Sequence, residues 1–159
     1  ETERVVEIGE RIRIRIMEKW KEEEKVWTAG EVLGRYVVMD GVISPGSVCV
    51  ELGAGTGVVS LAVAALRRDQ GCEDGVIATD AAHGSLKNIR KNATLNGLSV
   101  GGGKANMEIS TFHWGSPLPE EWSSRVDLIL GSDIVFSPHT LPSAAYFSLS
   151  RAIAELLSP

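Results

Sequence analysis

The sequence predicts an α/β protein built on a parallel sheet, and three observations carry that reading. A short apolar run, Val48 to Leu52, is followed at once by Gly53, Ala54, Gly55, Thr56 and Gly57, and then by an apolar stretch of helical length, Val58 to Leu66. A second apolar run, Val76 to Thr79, closes on Asp80 and leads into a segment whose Leu86, Ile89 and Ala93 share one helix face. Further runs, around Ala105 to Thr111 and Val126 to Leu130, extend the order to βαβαβ and then βα, which requires parallel strands joined by right-handed crossovers. Strand, glycine loop and helix in immediate succession form the opening unit of a nucleotide-binding, Rossmann-like sheet.

The remaining elements follow in chain order. Ile12, Ile14 and Ile16 alternate with Arg11, Arg13 and Arg15, and Val5, Val6 and Ile8 precede them across a turn at Gly9, which predicts a β-hairpin with one buried face. Its arginine face reads as a solvated strand face. Val32, Leu33, Tyr36 and Val37 fall at helical spacing and predict a helix over Thr28 to Met39, after which Pro45-Gly46 turns the chain. The polar insert Arg67 to Gly75 is expected to end the helix after the glycine loop. Gly97 stands where a C-terminal helix glycine belongs. Asn88, Asn92 and Asn96 recur at i, i+4 and i+8 and read as a solvated polar face. His83 and His139 fit capping or surface positions near helix starts, and His113 a partly exposed loop. Leu141, Ala145, Leu149, Ala152 and Leu156 keep one helical stripe to the end.

The 159 residues carry 16 Lys and Arg against 21 Asp and Glu, a net charge of −5, and 43% of them are hydrophobic. That composition suits one globular domain over residues 1–159, with 1–27 as hairpin and lead-in and 28–159 as the Rossmann-like core. The acidic balance argues against a nucleic-acid partner held by general phosphate neutralisation. No apolar stretch reaches the length of a membrane span. Cys49 and Cys72 are too few for a disulfide framework and lack metal-ligand spacing, so no metal is expected, and a reducing compartment, cytosol or nucleus, is the simpler reading.

In an open parallel sheet ligands bind beyond the carboxyl ends of the strands, which directs attention to the Gly53 loop, Asp80, the Trp114 segment, and Ser132 with Asp133. Glycines at 53, 55 and 57 let backbone turn tightly and approach a ligand without a Cβ in the way. No Gly-Lys-Ser or Gly-Lys-Thr is present, and the loop has no Lys or Arg, so a phosphate-binding loop is excluded. Acidic Glu51 and Asp80 instead suit a cationic, phosphate-free nucleoside, with Asp80 accepting from a ribose diol. S-adenosylmethionine is such a ligand.

On these residues the chain resembles a class I S-adenosylmethionine-dependent methyltransferase, and more closely the seven-strand protein-lysine methyltransferase family, methyltransferase family 16. The matching pieces are Val26-Trp27-Thr28-Ala29-Gly30, the loop from Glu51 to Gly57, Thr79-Asp80, the helix of Asn88, Asn92 and Asn96, His113-Trp114-Gly115, and the run from Asp127 through Asp133 to Phe136. The resemblance implies that Trp27 borders the cofactor pocket and that Glu51, Gly53, Ala54, Gly55 and Gly57 wrap the methionine part. It also implies that Asp80 holds the ribose, that Trp114 packs on adenine with Ser132 nearby, and that Asp133 and Phe136 face the substrate. Phe136 stands where the family usually has tyrosine, and His113 where an acidic residue is common. Function is then expected to be methyl transfer to a protein lysine, with Asp133 orienting the ammonium and Phe136 offering a ring face. A noncatalytic S-adenosylmethionine-binding module, or transfer to protein histidine or arginine or to a small molecule, stays open beside it. Dinucleotide-dependent oxidoreduction is a more distant reading. The chain supplies about four core strands where the family has seven, and opens on Glu1 and closes on Pro159 as if cut from something longer, so the C-terminal strands are expected to be missing.

Overall fold

The computed structural model describes residues 1–19, 25–72, 75–101, 105–122, 125–135 and 143–158. β1 (Thr2–Glu7) and β2 (Arg13–Glu18) form an antiparallel hairpin in which Val6 pairs with Ile14 and Arg4 with Ile16. Ile12, Ile14 and Ile16 are buried. Arg13 and Arg15 point outward and pair across the hairpin with Glu7 and Glu3, as a solvated strand face should.

α1 (Thr28–Met39) has the predicted bounds. β3 (Cys49–Glu51), α2 (Val58–Asp69), β4 (Val76–Asp80), α3 (His83–Leu95), β5 (Glu108–Thr111), β6 (Leu128–Leu130) and α4 (Ser143–Leu156) follow in the predicted order. The four core strands are parallel and lie in the order β5-β4-β3-β6, with Val50 beside Ile77 on one side and Ile129 on the other. Alternation along the strands divides the core. Cys49, Val76, Ala78 and Leu130 face the hairpin and α2, whereas Val48, Val50, Leu52 and Ile77 face Trp122, Phe112 and the Leu149, Ala152, Leu156 stripe of α4. Burial pushes the Cys49 thiol up to about 12, so it behaves as a small apolar side chain.

Strands are shorter than the apolar runs that predicted them. Val48 to Leu52 reduces to three strand residues, the run from Ala105 starts its strand at Glu108, and Val126 to Leu130 starts at Leu128. Val48 and Leu52 at the ends of the first run still join the sheet, the Val48 carbonyl accepting from Leu128 and the Leu52 amide donating to the carbonyl of Leu130.

α2 runs to Asp69 and so ends inside the polar insert Arg67 to Gly75, as expected. The side chain of Arg67 is buried and its guanidinium donates to the carbonyl of Ser47. The end comes one turn later, where Gly71 at φ +74° donates to the carbonyl of Arg68 and Cys72 to that of Arg67, a Schellman closure. Gly97 at φ +66° and the buried Leu98 close α3 in the same way on Thr94 and Ala93. One expectation is corrected: the asparagine face of α3 is not solvated. Asn88 and Asn92 are buried against the outer edge of β2.

Candidate functional site

Because the strands are parallel, β3 and β4 deliver Glu51 and Asp80 to the same end of the sheet, and the glycine loop crosses between them. Ala54 donates to the carbonyl of Thr79 at 2.8 Å, Gly57 to that of Ala54 at 2.7 Å, and Thr79 Oγ1 to that of Glu51 at 2.7 Å. Gly53, Gly55 and Gly57 all hold positive φ, +64°, +56° and +79°, so the loop follows a path that L side chains rarely adopt. Space demands glycine as well. A Cβ on Gly53 would stand 2.9 Å from Cγ2 of Ile134 and 3.8 Å from Cζ2 of Trp114, and one on Gly57 would stand 3.0 Å from Cγ2 of Ile89.

Asp80 is half-buried, and both of its carboxylate oxygens accept backbone amides. Oδ2 takes Gly55 N at 2.9 Å and Oδ1 takes Ala82 N at 2.8 Å. The side chain therefore ties the glycine loop to the entry of α3. Each oxygen retains a lone pair for another donor.

Glu51 is buried, and its carboxylate turns away from the loop onto the first turn of α2. Its Oε2 accepts Ser60 N at 2.9 Å and also the Ser60 hydroxyl. A carboxylate at that position satisfies an orphan amide of the helix start. Burial nevertheless pushes its carboxyl up to about 7, with the nearby Asp80 charge raising it further and the Ser60 bonds opposing the rise.

The other predicted residues flank this loop. Trp27 precedes α1 half-exposed, its carbonyl accepting from Gly30 and Glu31. Gly30 in turn approaches Val58 at the start of α2 and Ser132 after β6, whose Oγ lies 3.5 Å from where a Cβ would stand. Trp114 is partly buried beside Gly53. Asp133 is exposed and holds φ +56°, alone among the described non-glycine residues in having positive φ. Aspartate tolerates that conformation better than most residues, and such strain collects at functional loops. Phe136 and His139 lie outside the described residues. His83 is exposed at the first residue of α3, and His113 is exposed before Trp114.

Sequence reasoning missed Ile134 and Ser60 and placed Asn92 on a solvated face. Ile134 fills the space above Gly53 and Gly131. Ser60 sits nine residues after Glu51, and the glycine loop between them folds back so that the two meet. Asn92 Nδ2 donates to the carbonyl of Thr56 inside the loop at 3.1 Å. A polar residue interrupting an apolar helix, as Ser60 does, was the one available signal. Among the described residues no group of His, Cys, Asp or Glu could hold a metal ion, and no helix is long and apolar enough to cross a membrane.

Comparisons with known proteins bear on the family and the fold. The family model described as lysine methyltransferase matches residues 9–156. The protein N-lysine methyltransferase METTL21A of Xenopus tropicalis is 33% identical over 133 residues, covering 81% of this chain and 56% of that protein. Its counterpart in Danio rerio is 34% identical over 134 residues, covering 82% and 57%. The EEF1A lysine methyltransferase 3 of Xenopus tropicalis is 32% identical over 117 residues, covering 74% and 47%. The chain thus spans about half the length of the curated relatives it matches. Among solved structures, the CcbJ methyltransferase of Streptomyces caelestis superposes with a TM-score of 0.56 at 18% identity, covering 89% of this chain and 49% of that one. YjhP of E. coli gives 0.56 at 14%, covering 87% and 50%, and both likenesses speak to the fold.

Proposed function

The chain belongs to the lysine methyltransferase family, and on that premise we propose that it forms the cofactor-binding half of an S-adenosylmethionine-dependent enzyme that methylates a protein lysine. The observation that carries the reading is the cradle at the ends of β3 and β4: three glycines at positive φ, with Gly55 tethered to the carboxylate of Asp80. No phosphate-binding cation lies within the loop, and the acidic Asp80 ends β4 beside it, which suits a cationic nucleoside.

When bound, S-adenosylmethionine supplies a methyl group on an electrophilic sulfonium. In this reading Gly53, Ala54, Gly55 and Gly57 admit its methionine part against bare backbone, and Asp80 accepts the ribose hydroxyls through its free lone pairs. Trp114 and Ser132 border the adenine side, and Trp27 covers the entrance. Glu51 acts from beneath by fixing the start of α2. Asp133, exposed beyond β6, orients the substrate ammonium, and Phe136 three residues on offers a ring face to the same cation. A lysine near pKa 10.4 must lose its proton to solvent before the nitrogen attacks. Most of the acceleration then comes from holding nitrogen and methyl in line. The partner is a protein substrate rather than nucleic acid or membrane. Two free cysteines are consistent with the cytosol or nucleus.

Calorimetric titration with S-adenosylmethionine and, separately, with NAD tests the cofactor. Saturable binding of the first and none of the second is expected, and the reverse would overturn the proposal. Labelled methyl recovered as methyl-lysine in one protein band of an extract supports the reaction, whereas binding without transfer favours a noncatalytic module.

A further inference from the structure

α3 carries a ladder of asparagines that joins the N-terminal hairpin to the glycine loop. Successive rungs at i and i+4 are about 6 Å apart along a helix, close to the repeat of alternate residues on a strand, about 6.6 Å. Asn96 and Asn92 therefore meet Arg15 and Met17, alternate residues on the outer edge of β2. Asn96 Oδ1 accepts Arg15 N at 2.8 Å and its Nδ2 donates to the Arg15 carbonyl at 2.7 Å. Asn92 Oδ1 accepts Met17 N at 2.8 Å, and Asn88 Nδ2 donates to the Met17 carbonyl at 3.0 Å. The side chains complete the edge of β2 as a neighbouring strand would.

Asn92 differs from the other two rungs. Its side chain is buried, and while its oxygen holds β2, its nitrogen donates to the carbonyl of Thr56 between Gly55 and Gly57. One amide thus spans the hairpin and the loop. Thr56 is itself buried, so no solvent replaces that donor if it is lost. We propose that Asn92 is a positioning residue that sets the conformation of the glycine loop and couples it to the hairpin. This rests on the cofactor reading of the loop given above.

Asn92→Ala removes both contacts, and Asn92→Asp keeps the oxygen that accepts from Met17 but replaces the nitrogen that donates to Thr56. Asn96→Ala removes the rung to Arg15 and the bond that Asn96 Nδ2 makes to the Asn92 carbonyl, neither of which touches the loop. Amide hydrogen exchange at Gly55 and Gly57, the melting temperature and the dissociation constant for S-adenosylmethionine are read on the purified chain. Either Asn92 variant is expected to exchange faster at those two amides and to bind about tenfold more weakly, the size a lost buried hydrogen bond implies. Asn96→Ala should keep wild-type loop exchange and affinity even where its melting temperature falls as far. Equal effects from Asn92 and Asn96 variants, tracking stability alone, would overturn the proposal. Should the unaltered chain fail to bind S-adenosylmethionine, the cofactor reading falls, and loop exchange still decides the role of Asn92.

Discussion

Ile134 stands over Gly53, with its Cγ2 2.9 Å from where a Cβ on that glycine would be. The segment after β6 therefore packs directly on the loop after β3, and the two strand ends form one surface. Gly53 also holds φ +64°, so a side chain there meets two penalties.

Gly53→Ala is expected to cost about 3 kcal/mol, combining a left-handed alanine with a forced shift of Ile134. Gly71→Ala supplies the comparison, because Gly71 holds φ +74° with nothing within 4 Å of its Cβ position, and should cost only about 1 kcal/mol. Chemical denaturation of both variants separates the terms. Equal costs would mean that Ile134 yields freely.

The glycine loop and its flanking elements were legible because a glycine run between two apolar runs has few alternative structures. The asparagine face of α3 was misread for a definite reason. Polar residues at i, i+4 and i+8 look the same whether they face water or the unpaired edge of a strand, and the hairpin that supplies the edge lies more than seventy residues away. Arg67 lies in the polar insert that ends α2, but that its guanidinium finds a carbonyl across the fold is recorded in no local pattern. Ile134 and Ser60 gained their roles from loop closure, which no local period records.

Asp80→Ala removes acceptors from both Gly55 and Ala82, charge-assisted bonds in a half-buried site, and is expected to lower stability by about 2 kcal/mol. Affinity for S-adenosylmethionine should fall about tenfold or more. Calorimetry and denaturation on the same preparation check both. Unchanged affinity beside the stability loss would confine Asp80 to shaping the entry of α3.

Trp122 is fully buried in the face of the core opposite the hairpin, edge-on to Phe112 with ring centroids 5.6 Å apart. Trp122→Ala should cost about 4 kcal/mol through lost burial and the cavity left behind. Its indole nitrogen has no hydrogen-bond partner among the described residues, so Trp122→Phe removes an unpaired donor along with some volume. The phenylalanine variant is therefore expected to lose much less, about 1 kcal/mol. A urea titration distinguishes them, and equal losses would show that the indole contributes through its nitrogen after all.

Glu51 gives the fold a pH dependence whose sign follows from its burial. Its carboxyl moves from an ordinary value of 4.5 to about 7 on folding, so between those limits the folded chain holds a proton that the unfolded chain has released. Unfolding free energy should then fall as pH rises, by up to about 1.4 kcal/mol per pH unit through this window, with the loss complete above the folded value. Glu51→Gln retains an oxygen that can accept from both the amide and the hydroxyl of Ser60 but cannot ionise. The difference in stability between wild type and Glu51→Gln cancels the groups that do not interact with Glu51 and leaves its own titration with the coupling to Asp80. It is expected to shift in favour of the glutamine variant from pH 4.5 to pH 7 and to level off above. Ser60→Ala should move the wild-type window upward, since the lost hydroxyl favours the ionised form, and Asp80→Asn should move it downward by removing a facing negative charge. Parallel stability curves for wild type and Glu51→Gln across this range would mean that Glu51 ionises in place, with Ser60 and the start of α2 offsetting the burial.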